Sequence, residues 1–313
     1  MRTRKVGLSN LFGMLIDGCR LVRRHLGKFM MASLLSLSAV IVMAMVFGIV
    51  LAFATGAKAD AMTAGNFDWT TLAAIYAVAI LVGILLAPPF LAGWFMLCRK
   101  LADAEPVSVM VLFSAYRQPG LWRKLIVYSL LGLLLYVVVH ALYVLAAGMF
   151  GISADELEVF MRAQSGDPTA LAGLSGTFWA AYAGILVLGV VLQSMFMLGF
   201  CQAALTESPA GDALKAGIAG TLKNLISILA FLLVFMVAVL VVAIVIGILA
   251  ALAIGLLSFL SKTAAYAIGI VLYVLVILLI YPLLFSFQYY LWQGILGNDA
   301  ADGIRISDSD LSA

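Results

Sequence analysis

Long unbroken apolar runs, separated by shorter polar ones, dominate this chain. A helix needs about 20 apolar residues to cross a hydrocarbon layer of about 30 Å. Six stretches reach that length, at about 29–53, 72–97, 125–149, 176–203, 225–258 and 264–293. Polar segments at 54–71, 98–124, 150–175 and 204–224 separate the first five. The last break, Ser261-Lys262-Thr263, is only a few residues wide, and 225–260 holds no charge. That run is longer than one upright helix requires. It predicts a tilted helix or one ending in a short surface segment, with five or seven spans as the alternatives to six.

The pattern therefore predicts an all-α, polytopic membrane bundle forming one domain over 1–296. An acidic tail, 297–313, carries Asp299, Asp302, Asp308 and Asp310 among small residues and is expected to be disordered.

Lys and Arg set the orientation. With six spans, 15 of the 18 fall on the side of the N-terminus and only Lys58, Arg162 and Lys262 on the other. Both termini are then cytoplasmic in a bacterial inner membrane. The first apolar run, ending near Ala52-Phe53-Ala54, imitates a signal peptide. It is about 25 residues long, beyond the roughly 7–15 of a signal core, and reads as a retained anchor.

Composition agrees. The 313 residues are 65% hydrophobic and 11% charged, with a mean hydropathy of +1.18, against about half apolar and a quarter charged in soluble domains. A net charge of +3 is too small for a nucleic-acid reading without a basic face. Cys19, Cys98 and Cys201 are too few and scattered for a zinc pattern or disulfide framework, and read as free thiols on the reducing side.

Each pair of spans follows a short segment of common design. In the first, Leu8, Leu11, Leu15, Cys19, Val22 and Leu26 recur at helical spacing, with Ser9 as N-cap and Arg20, Arg23 and Arg24 toward the other side. The second runs from Pro106 to about Arg117, with Val109, Leu112, Phe113 and Tyr116 on one face, and ends at Pro119-Gly120. The third begins at Ser208-Pro209, read as a cap followed by proline at the first helical position, and carries Leu214, Ile218 and Leu222. Basic-polar-leucine steps at Arg24-His25-Leu26, Arg123-Lys124-Leu125 and Lys223-Asn224-Leu225 are spaced 99 and 100 residues apart. Three repeat units, 7–97, 106–203 and 208–293, are one reading; the similarity of alternating loops in any six-span chain is the other.

Small residues recur every fourth position: Ala44, Gly48, Ala52 and Gly56; Ala79, Gly83 and Ala87; Ala243, Gly247, Ala251 and Gly255. Such ladders let helix backbones approach in lipid, so spans one and two, and five and six, are expected to pair. A homodimer face or a seat for a flat lipid group is the alternative.

No Asp, Glu, Lys or Arg lies inside any span as drawn, which speaks against ion-coupled transport and voltage sensing. His140 is the only titratable candidate there. Gln193, Ser194 and Gln202 form a polar line on the fourth span, explained by interhelical hydrogen bonds. Pro88-Pro89 and Pro282 could interrupt helices, a weak transporter signal because their positions do not correspond. No HExxH, GxSxG, Walker A or CxxC motif occurs, and no catalytic residue, metal site or cofactor is expected. Asp155, Glu156 and Glu158 belong to an outer-loop helix, 154–163, exposing Leu157, Phe160 and Met161.

The stretches Pro88-Pro89-Phe90-Leu91-Ala92-Gly93-Trp94 through Ala104-Glu105-Pro106, and Ser208-Pro209 through Leu222-Lys223-Asn224, carry a resemblance. Over residues 70–230 the chain resembles uncharacterised bacterial inner-membrane proteins, distantly similar to the membrane domain attached to some glycerophosphoryl diester phosphodiesterases. The resemblance implies a multi-span bundle and carries over no functional residue. The soluble phosphodiesterase domain is not among these residues, so its hydrolysis is not expected. The expected role is non-enzymatic: engagement of membrane lipids through Arg20, Arg23, Arg24, Lys28, Arg123 and Lys124, or of another membrane protein or a second copy. A permease for an uncharged or amphiphilic solute is the alternative.

Overall fold

The computed structural model describes residues 3–54, 69–149, 154–164, 168–258 and 262–297. Among them every regular element is helical. In chain order these are α1 (Leu8–Arg24), α2 (Leu26–Ala54), α3 (Trp69–Ala102) and a 3-10 helix (Val109–Arg117). There follow α4 (Pro119–Met149), α5 (Ala154–Gln164), a short 3-10 turn (Pro168–Gly173), α6 (Gly176–Leu205), α7 (Ala210–Lys223), α8 (Leu225–Ser258) and α9 (Lys262–Leu296).

Over the described residues α2, α3, α4, α6 and α9 are each long and apolar enough to cross a membrane. The pair α7–α8, bent by 73° at Asn224, passes the same test of length and apolarity when taken together, which makes five such helices, or six with the bent pair counted as one span. The protein is a multi-pass membrane bundle. The tail beyond Gly297, the break at 259–261, the side chains of Leu157 and Met161, and Gly56 lie outside the described residues.

The bundle is ordered around three helices. The second long helix of each hairpin, α3, α6 and α9, touches the other two. Trp94 and Phe95 of α3, Phe200 of α6 and Phe285 of α9 fill the space between them, all buried. Trp94 stacks on Phe285 at 4.8 Å, Phe95 meets Phe285 edge-on at 5.4 Å and lies 6.1 Å from Phe200. Offset and edge-on contacts of this kind add about 0.5–1.5 kcal/mol each beyond the area they bury. The Trp94 indole N–H donates to the Ser36 hydroxyl at 3.0 Å, which ties α2 to this core.

Each short segment docks on the second long helix of the hairpin before it. The 3-10 helix packs on α3, α7 on α6, and α1 on α9, so the first segment closes on the last hairpin. Glycine permits each close approach. A Cβ at Gly18 would stand 3.2 Å from the Phe287 amide nitrogen, and one at Gly217 would stand 2.8 Å from the Gly199 Cα. One at Gly93 would overlap the Leu112 peptide. At Gly93 and Gly217 only glycine fits, whereas at Gly18 the facing backbone would have to give by a few tenths of an ångström.

The expected pairing divides: α8 packs on α9 as expected, whereas among the described residues α2 leans on α9 rather than on α3. The small-residue ladders do not mark these contacts. Ala44, Gly48, Gly247, Ala251 and Gly255 are exposed, and Ala79, Gly83 and Ala87 half-buried. An added methyl at Gly48, Gly83, Gly247 or Gly255 would meet nothing within 4 Å. The side chains of Ala52 and Ala243 fall outside the described residues. Four-residue spacing places small groups on one stripe, but it does not choose the stripe's partner.

The local boundaries also differ from expectation. Gly7, not Ser9, caps α1. Pro209 itself occupies the cap position of α7, while Ser208 bonds Thr206 at 3.0 Å. Gln118 ends the 3-10 helix and Pro119 begins α4, so Arg123-Lys124-Leu125 lies inside a helix rather than at a junction. Proline suits a first helical position because its missing N–H would be unpaired there anyway.

Replacing Gly217 or Gly93 by Ala should lower the thermal unfolding midpoint in detergent by several degrees. The same change at Gly48 or Gly247 should leave it unchanged or slightly raised. Equal midpoints for all four variants would contradict this packing scheme.

Candidate functional site

The three short segments and the ends of the central helices gather at one end of the bundle, called here the basic end. The N-terminal residues are tied to it: Arg4 N–H donates to the Ile295 carbonyl at 3.0 Å. Val6 N–H donates to Asn224 Oδ1 at 2.6 Å. Asn224 Nδ2 in turn donates to the carbonyls of Arg4 and Gly220, both at 2.9 Å. One buried amide thereby secures the bend between α7 and α8 and the start of the chain.

The six cationic residues read from the sequence divide into two groups. Arg20, Arg23, Arg24 and Arg123 are exposed, and Lys28 is half-exposed. Arg20 faces Asp17 across 3.4 Å on the open surface, where such a pair contributes little. Lys124 turns inward and donates to the Thr206 carbonyl, just past α6, at 2.7 Å. A cation at a helix C-terminus meets the negative end of the dipole and an otherwise unpaired carbonyl. Lys124 is therefore a clasp between α4 and α6, which sets it apart from the exposed cations. Arg99 acts alike, donating to the Leu205 carbonyl at 3.0 Å. Burial, then Lys28 and Arg24, hold the His25 imidazole below its ordinary range and so favour its uncharged form.

α1 buries Leu11, Gly18, Leu21 and Val22 against the bundle. Its apolar face thus meets protein, and the arginines lie on what remains open.

The polar line on α6 also divides. Gln202 is buried, accepting from the Trp292 indole at 2.8 Å and donating to Thr206 and Ser208 at 3.2 and 3.3 Å. Ser194 returns its hydroxyl to the Val190 carbonyl of its own helix at 2.9 Å. Gln193 faces a lateral groove of about 610 Å³ between the second and third hairpins. Ile185 to Leu198 of α6 form its floor, with Phe231, Phe287 and Leu291 among the walls. His140 enters from α4, its Nδ1 against the Tyr136 carbonyl at 3.0 Å and its ring stacked on Tyr136. Gln288 of α9 also lines the groove, and its Oε1 is buried without a hydrogen-bond partner. Gln288 escaped the sequence reading, although an amide in an otherwise apolar span is itself a signal.

The prolines have a structural account. α3 continues through Pro88-Pro89. Proline at 89 cannot donate to the Leu85 carbonyl four residues back, and the Trp122 indole supplies that bond at 3.2 Å. At the opposite end Phe160 of α5 packs on Phe178 and Tyr182 of α6, at 5.4 and 5.1 Å.

Cys98 and Cys201 are buried free thiols and Cys19 is exposed. Among the described residues no three His, Cys, Asp or Glu side chains converge as metal ligands would. No protein-family model, curated protein or solved structure matches the chain.

Lys124→Met should destabilise the bundle by about 1 kcal/mol, the scale of one partly buried charge-assisted hydrogen bond. It should leave the retention of anionic lipid unchanged. Thermal unfolding and lipid analysis of the purified variant separate the two effects, and loss of lipid without loss of stability would reverse the assignment.

Proposed function

We propose that this chain is a non-enzymatic bacterial inner-membrane bundle, both termini cytoplasmic, that engages anionic lipid through its basic end. One observation carries the reading. α1 docks its apolar side on α8 and α9 and leaves Arg20, Arg23 and Arg24 exposed. Arg123 stands exposed at the same end. Guanidinium groups held on a packed helix beside the membrane surface meet headgroup phosphates with little further ordering.

Two features weigh against the permease alternative. The space between the three central helices is filled by aromatic side chains. The carbonyl freed by Pro89 is taken by Trp122, so α3 offers no unwound backbone to a solute at that point.

Replacing Arg20, Arg23, Arg24 and Arg123 together by Gln should lower the ratio of phosphatidylglycerol to phosphatidylcholine retained in native mass spectrometry by at least roughly tenfold, the full about 1 kcal/mol from each of the four cations setting an upper bound of roughly a thousandfold. An unchanged ratio overturns the proposal. A periplasm-dependent reporter inserted at residue 110 should stay silent; activity there would reverse the orientation.

A further inference from the structure

Consecutive long helices of a membrane chain usually pack on each other. Here, among the described residues, α2 rests on α9 and on the 3-10 helix, and a lateral gap of about 590 Å³ is left between α2 and α3. We propose that this gap seats one anionic phospholipid, its phosphate on Arg117 and the head-proximal part of one acyl chain between the two helices. The proposal deepens the basic-end reading and rests on it, because it gives a single lipid molecule a defined place there.

The walls call for hydrocarbon. Leu35, Ala39 and Met43 recur at helical spacing on α2 and line the gap together with Leu86 and Phe90 of α3. Phe113 of the 3-10 helix packs on Phe90 at 5.7 Å and extends this lining. The stripe on α2 runs about 12 Å along the helix. Val42 and Leu86 also line the gap and are exposed, so it opens on the flank of the bundle. An empty apolar gap forfeits dispersion contact along its whole lining, and a lipid chain is as apolar as the leucines it would touch.

Charge selects the lipid. Arg117 is the one charged residue lining the gap; it is exposed and makes no ion pair among the described residues. Its guanidinium keeps its charge and offers two N–H groups in a fork that matches two phosphate oxygens. A zwitterionic lipid brings the same phosphate with its own cation beside it, and gains less from Arg117. A fatty acid would suit the walls, but a carboxyl group drawn from water toward apolar surroundings gives up its charge by taking a proton.

The neighbours of Arg117 fix where it stands. Tyr116 donates to the Leu86 carbonyl, and the Trp122 indole donates to the Leu85 carbonyl at 3.2 Å. The connection carrying Arg117 is thereby held against α3 on both sides. Tyr, Trp and Arg close together, just before an apolar span begins at Leu125, mark the boundary where headgroups lie.

The test uses the full-length protein in nanodiscs and three photoreactive probes: phosphatidylglycerol and phosphatidylcholine carrying the same diazirine-bearing acyl chain, and the free fatty acid of that chain. Phosphatidylglycerol should label the peptides of α2 and α3 that line the gap roughly fivefold more than either competitor, the scale of one cation at the surface. Arg117→Gln should reduce it to the phosphatidylcholine level with the thermal unfolding midpoint unchanged, and Arg117→Lys should keep most of the preference. Ala39→Phe should fill the gap and suppress labelling by all three probes. In the joint variant of Arg20, Arg23, Arg24 and Arg123 the labelling of the gap should persist. If that variant retains as much phosphatidylglycerol as the parent while the gap still prefers it, the broad cationic surface fails and this seat stands. Equal labelling by the two phospholipids, preference for the fatty acid, cross-linking of the gap to another protein chain, or indifference to Arg117→Gln would overturn the proposal.

Discussion

Backbone-to-backbone contact at a few glycines is the constraint from which the rest of this bundle follows. In lipid the hydrophobic effect does not hold helices together, because the surrounding chains are as apolar as leucine. Close packing and hydrogen bonds must do it. Gly18, Gly93, Gly199 and Gly217 allow α1, the 3-10 helix and α7 to sit directly on α9, α3 and α6. With the short segments seated, α3, α6 and α9 are held together, and Trp94, Phe95, Phe200 and Phe285 fill the space between them. All these contacts belong to the half of the bundle nearer the basic end. Toward the opposite end the long helices bury less among the described residues, as the exposed Val40, Ile49, Leu145, Ile248 and Leu252 show.

Polar groups at the basic end serve the same packing. Asn224 closes the bend between α7 and α8 on the N-terminal residues. Lys124 and Arg99 reach carbonyls at the end of α6 that the helix itself cannot pair. Trp122 completes the carbonyl left open by Pro89. In each case a backbone group lacking a partner within its own helix is met by a side chain from another. The cost of leaving it unmet rises as water is excluded, which makes these bonds specific as well as stabilising.

The spans were legible in the sequence because their signal is composition, and composition does not depend on partners. The apolar face of α1 was legible for a related reason: Leu11 and Val22 share one side of any helix, whatever covers it. Which surfaces meet was not legible. The ladder through Ala44 and Gly48 has the spacing of a packing motif, yet the structure leaves it open, while Gly217, in a short polar segment, carries the tightest kind of contact. Spacing along one helix says nothing of the helix opposite. Lys124 shows the same limit. Its neighbour Arg123 is exposed, and one step around the helix turns the next cation to Thr206. Gln288 could have been noticed, being an amide in an apolar run; that its oxygen lacks a partner needed coordinates.

The uneven packing bears on what kind of membrane protein this is. A conduit needs a polar path through the middle and walls sealed against lipid. Here the middle is filled by aromatic rings, and the recess lies at the side, between α4 and α6 on one hand and α8 and α9 on the other. A recess so placed opens to the flank of the bundle and forms no path along its axis, which is why the packing counts against a conduit.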